Sequence, residues 1–192
     1  MHRICQSIFI IATLLTAWLL MQVVHEAGHV LAALMTGGTV TRVVLHPLEI
    51  SRTDVGHNPS PLAVCWGGPI VGAVAPPLVW MAAQWCRFPG AFWLQFFAGF
   101  CLIANGAYLA VGVREGIGDA GDLLKYGSSA WTLYLFGFAT IPSGLLLWNG
   151  LGPSFGLGPK GERIGWPAAM TVSGFLLLTI LAELIADLWY NN

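Results

Sequence analysis

The sequence predicts an all-α polytopic membrane protein with about five transmembrane helices and a short β-ribbon after the first helix. Of its 192 residues, 56% are hydrophobic and only 9% are charged, whereas a soluble domain carries about 25% charged residues. The apolar residues fall into five long runs, and a helix of about 20 residues crosses the hydrocarbon core of a bilayer. The net charge of −1 gives no indication of a nucleic-acid partner.

The five predicted spans cover residues 7–35, 64–85, 91–113, 130–148 and 167–190. We expect them to form a single membrane-embedded domain over residues 1–192, in a multi-pass protein of the cell membrane. The first run is too long for the apolar core of a signal peptide, and no small-residue cleavage pattern follows it. Lys and Arg divide evenly between the two sides, so the positive-inside rule does not orient the protein.

The segments that join the spans carry their own signals. Two glycines at positions 37–38 end the first span, and the β-branched stretch 39–51 predicts a short ribbon interrupted at Pro47. Pro76 and Pro77 lie inside the second span, where they predict either a half-unwound segment beside a site or a packed structural kink. Residues 114–122 are predicted to form a polar loop. The four cysteines form no C-x-x-C pair, and we expect them to be free and to serve as small buried hydrophobic residues.

The end of the first span contains the sequence His25-Glu26-Ala27-Gly28-His29. On a helix the two histidines lie one turn apart on one face, and Glu26 lies about 100° round from His25. Two imidazoles at this spacing can bind one Zn²⁺, while the adjacent carboxylate can act as a general base on water. A charged residue costs about 2.5–3.5 kcal/mol at the centre of a membrane helix, so a cluster of ionisable residues there indicates a function.

A third metal ligand is expected from the segment after the third span. The chain crosses the membrane twice between the end of the first span and the end of the third span. Both ends therefore lie on the same side of the membrane, and Asp119 or Asp122 could reach the two histidines. Two imidazoles, one carboxylate and a position open to water make up a typical catalytic zinc site. Glu183 and Asp187 finish on this side too, and they either face the site or mark the membrane interface.

The ordered set of motifs resembles the site-2 protease family of intramembrane zinc metalloproteases, in particular its short, membrane-core branch. The resemblance covers about residues 7–127. It rests on HEAGH late in a membrane helix followed by Gly-Gly and a ribbon, on Gly68-Pro69 after that ribbon, and on Asn105 with Asp119-Ala120-Gly121-Asp122. The family's proline and its Asp-Gly pair are not intact in this chain.

This resemblance implies hydrolysis of peptide bonds in or near transmembrane segments of membrane-protein substrates, with Zn²⁺ as the cofactor. The implied metal ligands are His25, His29 and Asp119, with Asp122 as the alternative third ligand. Glu26 is the implied catalytic base. The implied residues for substrate binding or oxyanion support are Asn105, Gly68 and Pro69.

Two other classes of function remain open from the sequence. A non-catalytic zinc-binding membrane protein of the same fold would have no need of Glu26. A transporter with an intramembrane metal site would fit interrupted spans and histidines at membrane depth, but no internal repeat is visible. No G-x-x-x-x-G-K-[ST] loop occurs, so we expect no nucleotide partner. The expected partners are the lipid bilayer and a transmembrane protein substrate.

Overall fold

The computed structural model describes residues 2–191, with side chains for residues 2–188; the two ends of the predicted domain 1–192 therefore lie outside the described residues. The helices are α1 (His2–Met35), α2 (Pro61–Trp85), α3 (Ala91–Glu115), α4 (Gly118–Lys125), α5 (Ala130–Trp148) and α6 (Trp166–Asn191). Two strands, β1 (Val40–Val44) and β2 (Arg52–Val55), follow α1, and a 3₁₀ turn covers Gly152–Phe155. All of these helices except α4 are long and apolar enough to cross a membrane. The predicted fold class, a multi-pass helical membrane protein with a ribbon after the first helix, is confirmed.

The first two spans are longer than predicted. Helix α1 begins at His2, and its 34 residues extend about 51 Å at 1.5 Å per residue. That exceeds the roughly 30 Å of a hydrocarbon core, so α1 is tilted or projects beyond it. Helix α2 begins at Pro61 and continues through Pro69, Pro76 and Pro77. The half-unwound alternative is therefore not observed, since the fixed φ of proline is compatible with helical backbone where neighbouring helices cover the lost hydrogen bonds.

The packing order of the long helices is α6, α1, α2, α3, α5. Helix α1 also contacts α3, so α1, α2 and α3 form the centre of the bundle, with α6 against α1 and α5 against α3. One buried cluster joins α1, the 3₁₀ turn and α6 and includes Phe9, Phe155 and Val172. A second cluster lies at the opposite end, where Leu109 of α3 and Leu133 of α5 enclose Leu123 of α4.

The predicted polar loop 114–122 is instead a tight turn followed by a short helix. Gly116 ends α3 with φ of 64°, and Gly118 opens α4 with φ of 56°. Both values lie in the left-handed region that glycine adopts without steric cost. The chain reverses there, and the first turn of α4 carries Asp119 back towards α1.

Helix α4 was missed in the sequence because glycine disfavours helix formation. The helix is supported by packing rather than propensity: Ala120 and Leu123, three residues apart, are fully buried against α3 and α5. Full burial of one leucine side chain stabilises a fold by about 1.5–3 kcal/mol. Asp122 and Lys125 lie on the exposed face of α4.

The ribbon is an antiparallel pair of strands in which Val43 lies opposite Thr53. An irregularity between Val40 and Arg42 leaves Thr41 without a partner in the register. Pro47 lies in the connection between the strands and not within either one. The β2 end of the ribbon touches α1, where the Ser51 amide donates to Gln22 Oε1 at 3.3 Å.

Candidate metal centre

Three potential metal ligands from α1 and α4 converge on one point. The Nε2 atoms of His25 and His29 are 3.1 Å apart, and Asp119 Oδ2 lies 2.8 Å from the first and 3.3 Å from the second. Ligand atoms about 2.0–2.1 Å from a tetrahedral Zn²⁺ are about 3.3–3.4 Å from one another. The His29–Asp119 distance matches this spacing and the other two distances are shorter, so the three atoms lie close enough together to hold one metal ion.

Hydrogen bonds on the far side of each imidazole determine which nitrogen faces the centre. His29 Nδ1 lies 2.8 Å from the carbonyl oxygen of Val64, which can only accept, so the Nδ1 atom carries the proton and donates it. His25 Nδ1 lies 2.6 Å from Asn105 Oδ1 and donates in the same way. The Nε2 atoms of both imidazoles then face the Asp119 carboxylate, and these three atoms could hold a metal ion.

The orientation of the Asn105 amide follows from its second partner. Asn105 Nδ2 donates to the Cys101 carbonyl at 2.8 Å, which leaves Oδ1 directed at His25. The residue is 1% exposed and lies behind His25, on the side opposite Nε2. The oxyanion support expected of Asn105 stays a prediction, and in this structure the amide contacts the Nδ1 side of His25.

The structure brings Asp119, and not Asp122, to the histidines. Asp119 lies in the first turn of α4 beside both Nε2 atoms, whereas Asp122 is on the exposed face and outside the ligand group. Burial alone would raise the pKa of Asp119, but hydrogen bonds and positive charge from the imidazolium forms of His25 and His29 outweigh it and hold that pKa well below its usual range. The carboxyl is thus kept ionised, as a metal ligand must be.

Helix α2 forms a wall against the Nε2 side of the imidazoles. Gly68 has no side chain, and a Cβ atom there would collide with His29 Nε2 and approach His25 Nε2. One turn later, Gly72 packs against the Asn105 amide, where a Cβ atom would lie 2.7 Å from both amide atoms. Pro69 is fully buried beside them. These contacts show that Gly68 packs closely against both imidazoles, while a role of Gly68 and Pro69 in substrate binding stays a prediction.

Glu26 is 3% exposed, and its carboxylate is bound by the ribbon. Thr53 Oγ1 of β2 donates to Glu26 Oε2 at 2.7 Å. This bond uses one carboxylate oxygen and leaves the other free to accept a proton. Thr53 therefore fixes the position of the expected base, and no pattern in the sequence indicated it because the contact depends on how the ribbon folds over α1.

Tyr108 is a second residue beside the centre that the sequence motifs do not indicate. Its ring meets the His25 ring edge-on, with centroids 5.9 Å apart, and its hydroxyl oxygen accepts a hydrogen bond from the Asp119 backbone amide at 3.2 Å. A usable signal existed, because Tyr108 follows Asn105 by three residues on α3 and so lies on nearly the same helix face.

The remaining candidates do not join the centre. Within residues 2–188, His25, His29 and Asp119 are the one group of three or more His, Cys, Asp and Glu side chains whose ligand atoms converge. Glu183 is 5% exposed on α6 but is outside this group, as is Asp187. All four cysteines are free, as predicted, but the expected burial holds only for Cys5 and Cys101; Cys65 is half-buried and Cys86 is exposed at the end of α2.

Comparison with known proteins identified no relatives: no family model, no curated protein and no solved structure matches the chain.

Proposed function

We propose that the protein is an intramembrane zinc metalloendopeptidase that hydrolyses peptide bonds in or near the transmembrane segments of membrane-protein substrates. The observation that carries this proposal is the convergence of His25, His29 and Asp119 beside Glu26 in a membrane-spanning helix. Two imidazoles and a carboxylate leave a tetrahedral metal one position for water or substrate. The resemblance of the motifs to site-2 proteases supports the same activity.

The donor set fits zinc in the type and number of its ligands. His25, His29 and Asp119 would hold Zn²⁺, which would supply Lewis-acid polarisation of the scissile carbonyl and would lower the pKa of a bound water towards about 7. Asn105 and the Val64 carbonyl hold the imidazoles in the tautomer that presents Nε2. Such partners of ligating histidines typically change metal affinity or activity about 10- to 100-fold when removed.

Glu26 carries the proton from the attacking water to the leaving amine. Its free oxygen accepts a proton from the attacking water as the new C–O bond forms, and it passes that proton to the leaving amine as the C–N bond breaks. The Thr53 hydroxyl keeps the carboxylate in place through both steps. Water thus contributes its hydroxyl to the carbonyl carbon and its hydrogen to the nitrogen, and Glu26 is regenerated.

The location of the centre defines the class of substrate. His25 and His29 lie in the last third of α1, so a peptide bond must reach them at or below the surface of the bilayer. A membrane helix has its carbonyls hydrogen-bonded internally, and the cleaved segment must therefore unwind locally before attack. We propose such segments of membrane proteins as substrates, and the cell membrane as the site of action.

A comparison of wild type with Glu26→Gln tests the proposal. Each protein is purified in detergent, its zinc content is measured, and cleavage of a model transmembrane substrate is followed in proteoliposomes. We expect Glu26→Gln to retain zinc and to lose cleavage, because the amide cannot accept the proton. Glu162→Gln, an exposed change outside the centre, should behave as wild type. Equal cleavage by wild type and Glu26→Gln would refute the proposal, and zinc binding without cleavage by wild type would favour the non-catalytic alternative.

A further inference from the structure

The proposed peptidase needs a hydrogen-bond donor for the negative charge that develops on the scissile carbonyl oxygen. In peptide hydrolysis such donors are among the largest contributions of an enzyme, since removal of one costs about 10²–10³ in kcat. The donor must lie on the same side of the imidazoles as the metal, where the substrate binds. Asn105 does not meet this condition because it contacts the Nδ1 side of His25.

Tyr108 reaches Asp119, the residue that lies on the Nε2 side of both imidazoles. Its ring packs on His25, and its hydroxyl oxygen is bound by the backbone amide of Asp119. It thus touches two of the three ligand residues. Gly118 makes room for it, because a Cβ atom at that position would collide with the Tyr108 hydroxyl. The phenol is therefore held by α1, α3 and α4 together.

The Tyr108 hydroxyl group is available to donate a hydrogen bond. In the bond with Asp119 the phenolic oxygen is the acceptor, and in the described part of the chain its own O–H has no acceptor. The other hydroxyl close to the centre, that of Thr53, already donates to Glu26. Tyr108 is also 42% exposed, so an incoming peptide can reach it. An ordered phenol with a free proton beside metal ligands has the geometry of a hydrogen-bond donor to substrate.

We propose that the Tyr108 hydroxyl donates a hydrogen bond to the oxygen of the scissile carbonyl and stabilises the oxyanion that forms there. This inference rests on the proposed peptidase function. As water adds to the carbonyl carbon, the π electrons move onto the oxygen, and Tyr108 shares its proton without transferring it. When the C–N bond breaks, the electrons return to re-form the carbonyl and the amine receives its proton from Glu26. Tyr108 is unchanged at the end.

The test compares Tyr108→Phe with wild type and with Tyr134→Phe, a similarly exposed tyrosine on α5. All proteins are measured at one buffered free-zinc concentration, so that a change in metal affinity does not appear as a change in catalysis. Three quantities are determined: zinc content, kcat and KM for a model transmembrane substrate, and the affinity of a phosphinate peptide that carries a tetrahedral anionic centre. A plain peptide of the same sequence reports ground-state binding.

We expect Tyr108→Phe to retain zinc and to lower kcat about 10²- to 10³-fold with little change in KM. The affinity for the phosphinate peptide should fall at least about tenfold, while the affinity for the plain peptide should stay the same. Unchanged kcat and phosphinate affinity would overturn the inference. So would loss of zinc, which would make Tyr108 a structural support of Asp119. If the wild-type protein binds zinc but cleaves no substrate, the peptidase function itself is refuted. In that case, equal phosphinate affinities of wild type and Tyr108→Phe would separately overturn the inference about Tyr108.

Discussion

At the scale of single residues, each histidine of the centre is usable by a metal because its other nitrogen is already engaged. Asn105 and the Val64 carbonyl accept from the two Nδ1 atoms, and Cys101 fixes the Asn105 amide in turn. This network extends from the ligands into the core of α3. It converts two flexible imidazoles into ligands of fixed tautomer and direction.

Replacing Asn105 by alanine should lower the affinity for zinc about 10- to 100-fold, because the His25 ring loses the acceptor that fixes it. The measurement is a competitive zinc titration against a chromophoric chelator in detergent. Asn149→Ala, an exposed change beyond the end of α5, is the matched control and should leave the affinity unchanged. If both variants bind zinc as wild type does, Asn105 does not orient a metal ligand.

At the scale of elements, the centre depends on how closely α2 approaches α1. The Gly28 and Gly67 backbones are in contact, since a Cβ atom on Gly28 would collide with the Gly67 carbonyl oxygen. Gly68, the next residue of α2, then lies directly against the Nε2 atoms of the two imidazoles. Small residues allow such close backbone contact between membrane helices.

Gly68→Ala should therefore displace at least one imidazole and abolish or strongly reduce zinc binding. The added methyl group meets His29 Nε2 and His25 Nε2 within the helix, where the α2 backbone cannot move away without separating from α1. Zinc content after dialysis against a weak chelator measures the effect. Gly174→Ala on α6 introduces the same methyl group into open space, and it should retain full zinc. If both variants retain zinc, the α2 backbone can shift enough to accommodate a methyl group at position 68.

At the scale of the whole molecule, a bound metal would link α1 to α4 and, through the packing of Leu123, to α3 and α5. A ligand that binds only the folded state stabilises it by RT ln(1 + [L]/Kd), which is about 2.7 kcal/mol at 100 times Kd. Zinc should thus stabilise the bundle as a unit and not merely α1.

We expect a chelator to lower the thermal unfolding midpoint of wild type in detergent by several degrees, and zinc to restore it. Asp119→Asn should remove this dependence on zinc because the neutral amide is a poor replacement for the carboxylate. Asp122→Asn, three residues away on the exposed face, should preserve it. A zinc-dependent midpoint that survives in Asp119→Asn and disappears in Asp122→Asn would instead identify Asp122 as the ligand.

The spans and the first half of the centre were predictable because their signals are local. Long apolar runs determine the helices, and the i, i+4 spacing places His25 and His29 on one face. The choice between Asp119 and Asp122 was not predictable, since it depends on the reversal at Gly116 and Gly118 and on which face of α4 is buried. Thr53 was unpredictable for a similar reason: its contact with Glu26 depends on the position of the ribbon over α1.

The separation of the ligands along the chain also has a consequence for biosynthesis. His25 and Asp119 lie 94 residues apart, with α2 and α3 between them. A growing chain that has inserted α1 holds two imidazoles and the neighbouring carboxylate, but no third ligand. The complete ligand set forms only after α3 has crossed the bilayer and α4 has folded back. The order of synthesis therefore delays assembly of the centre until the wall that encloses it is already in the membrane.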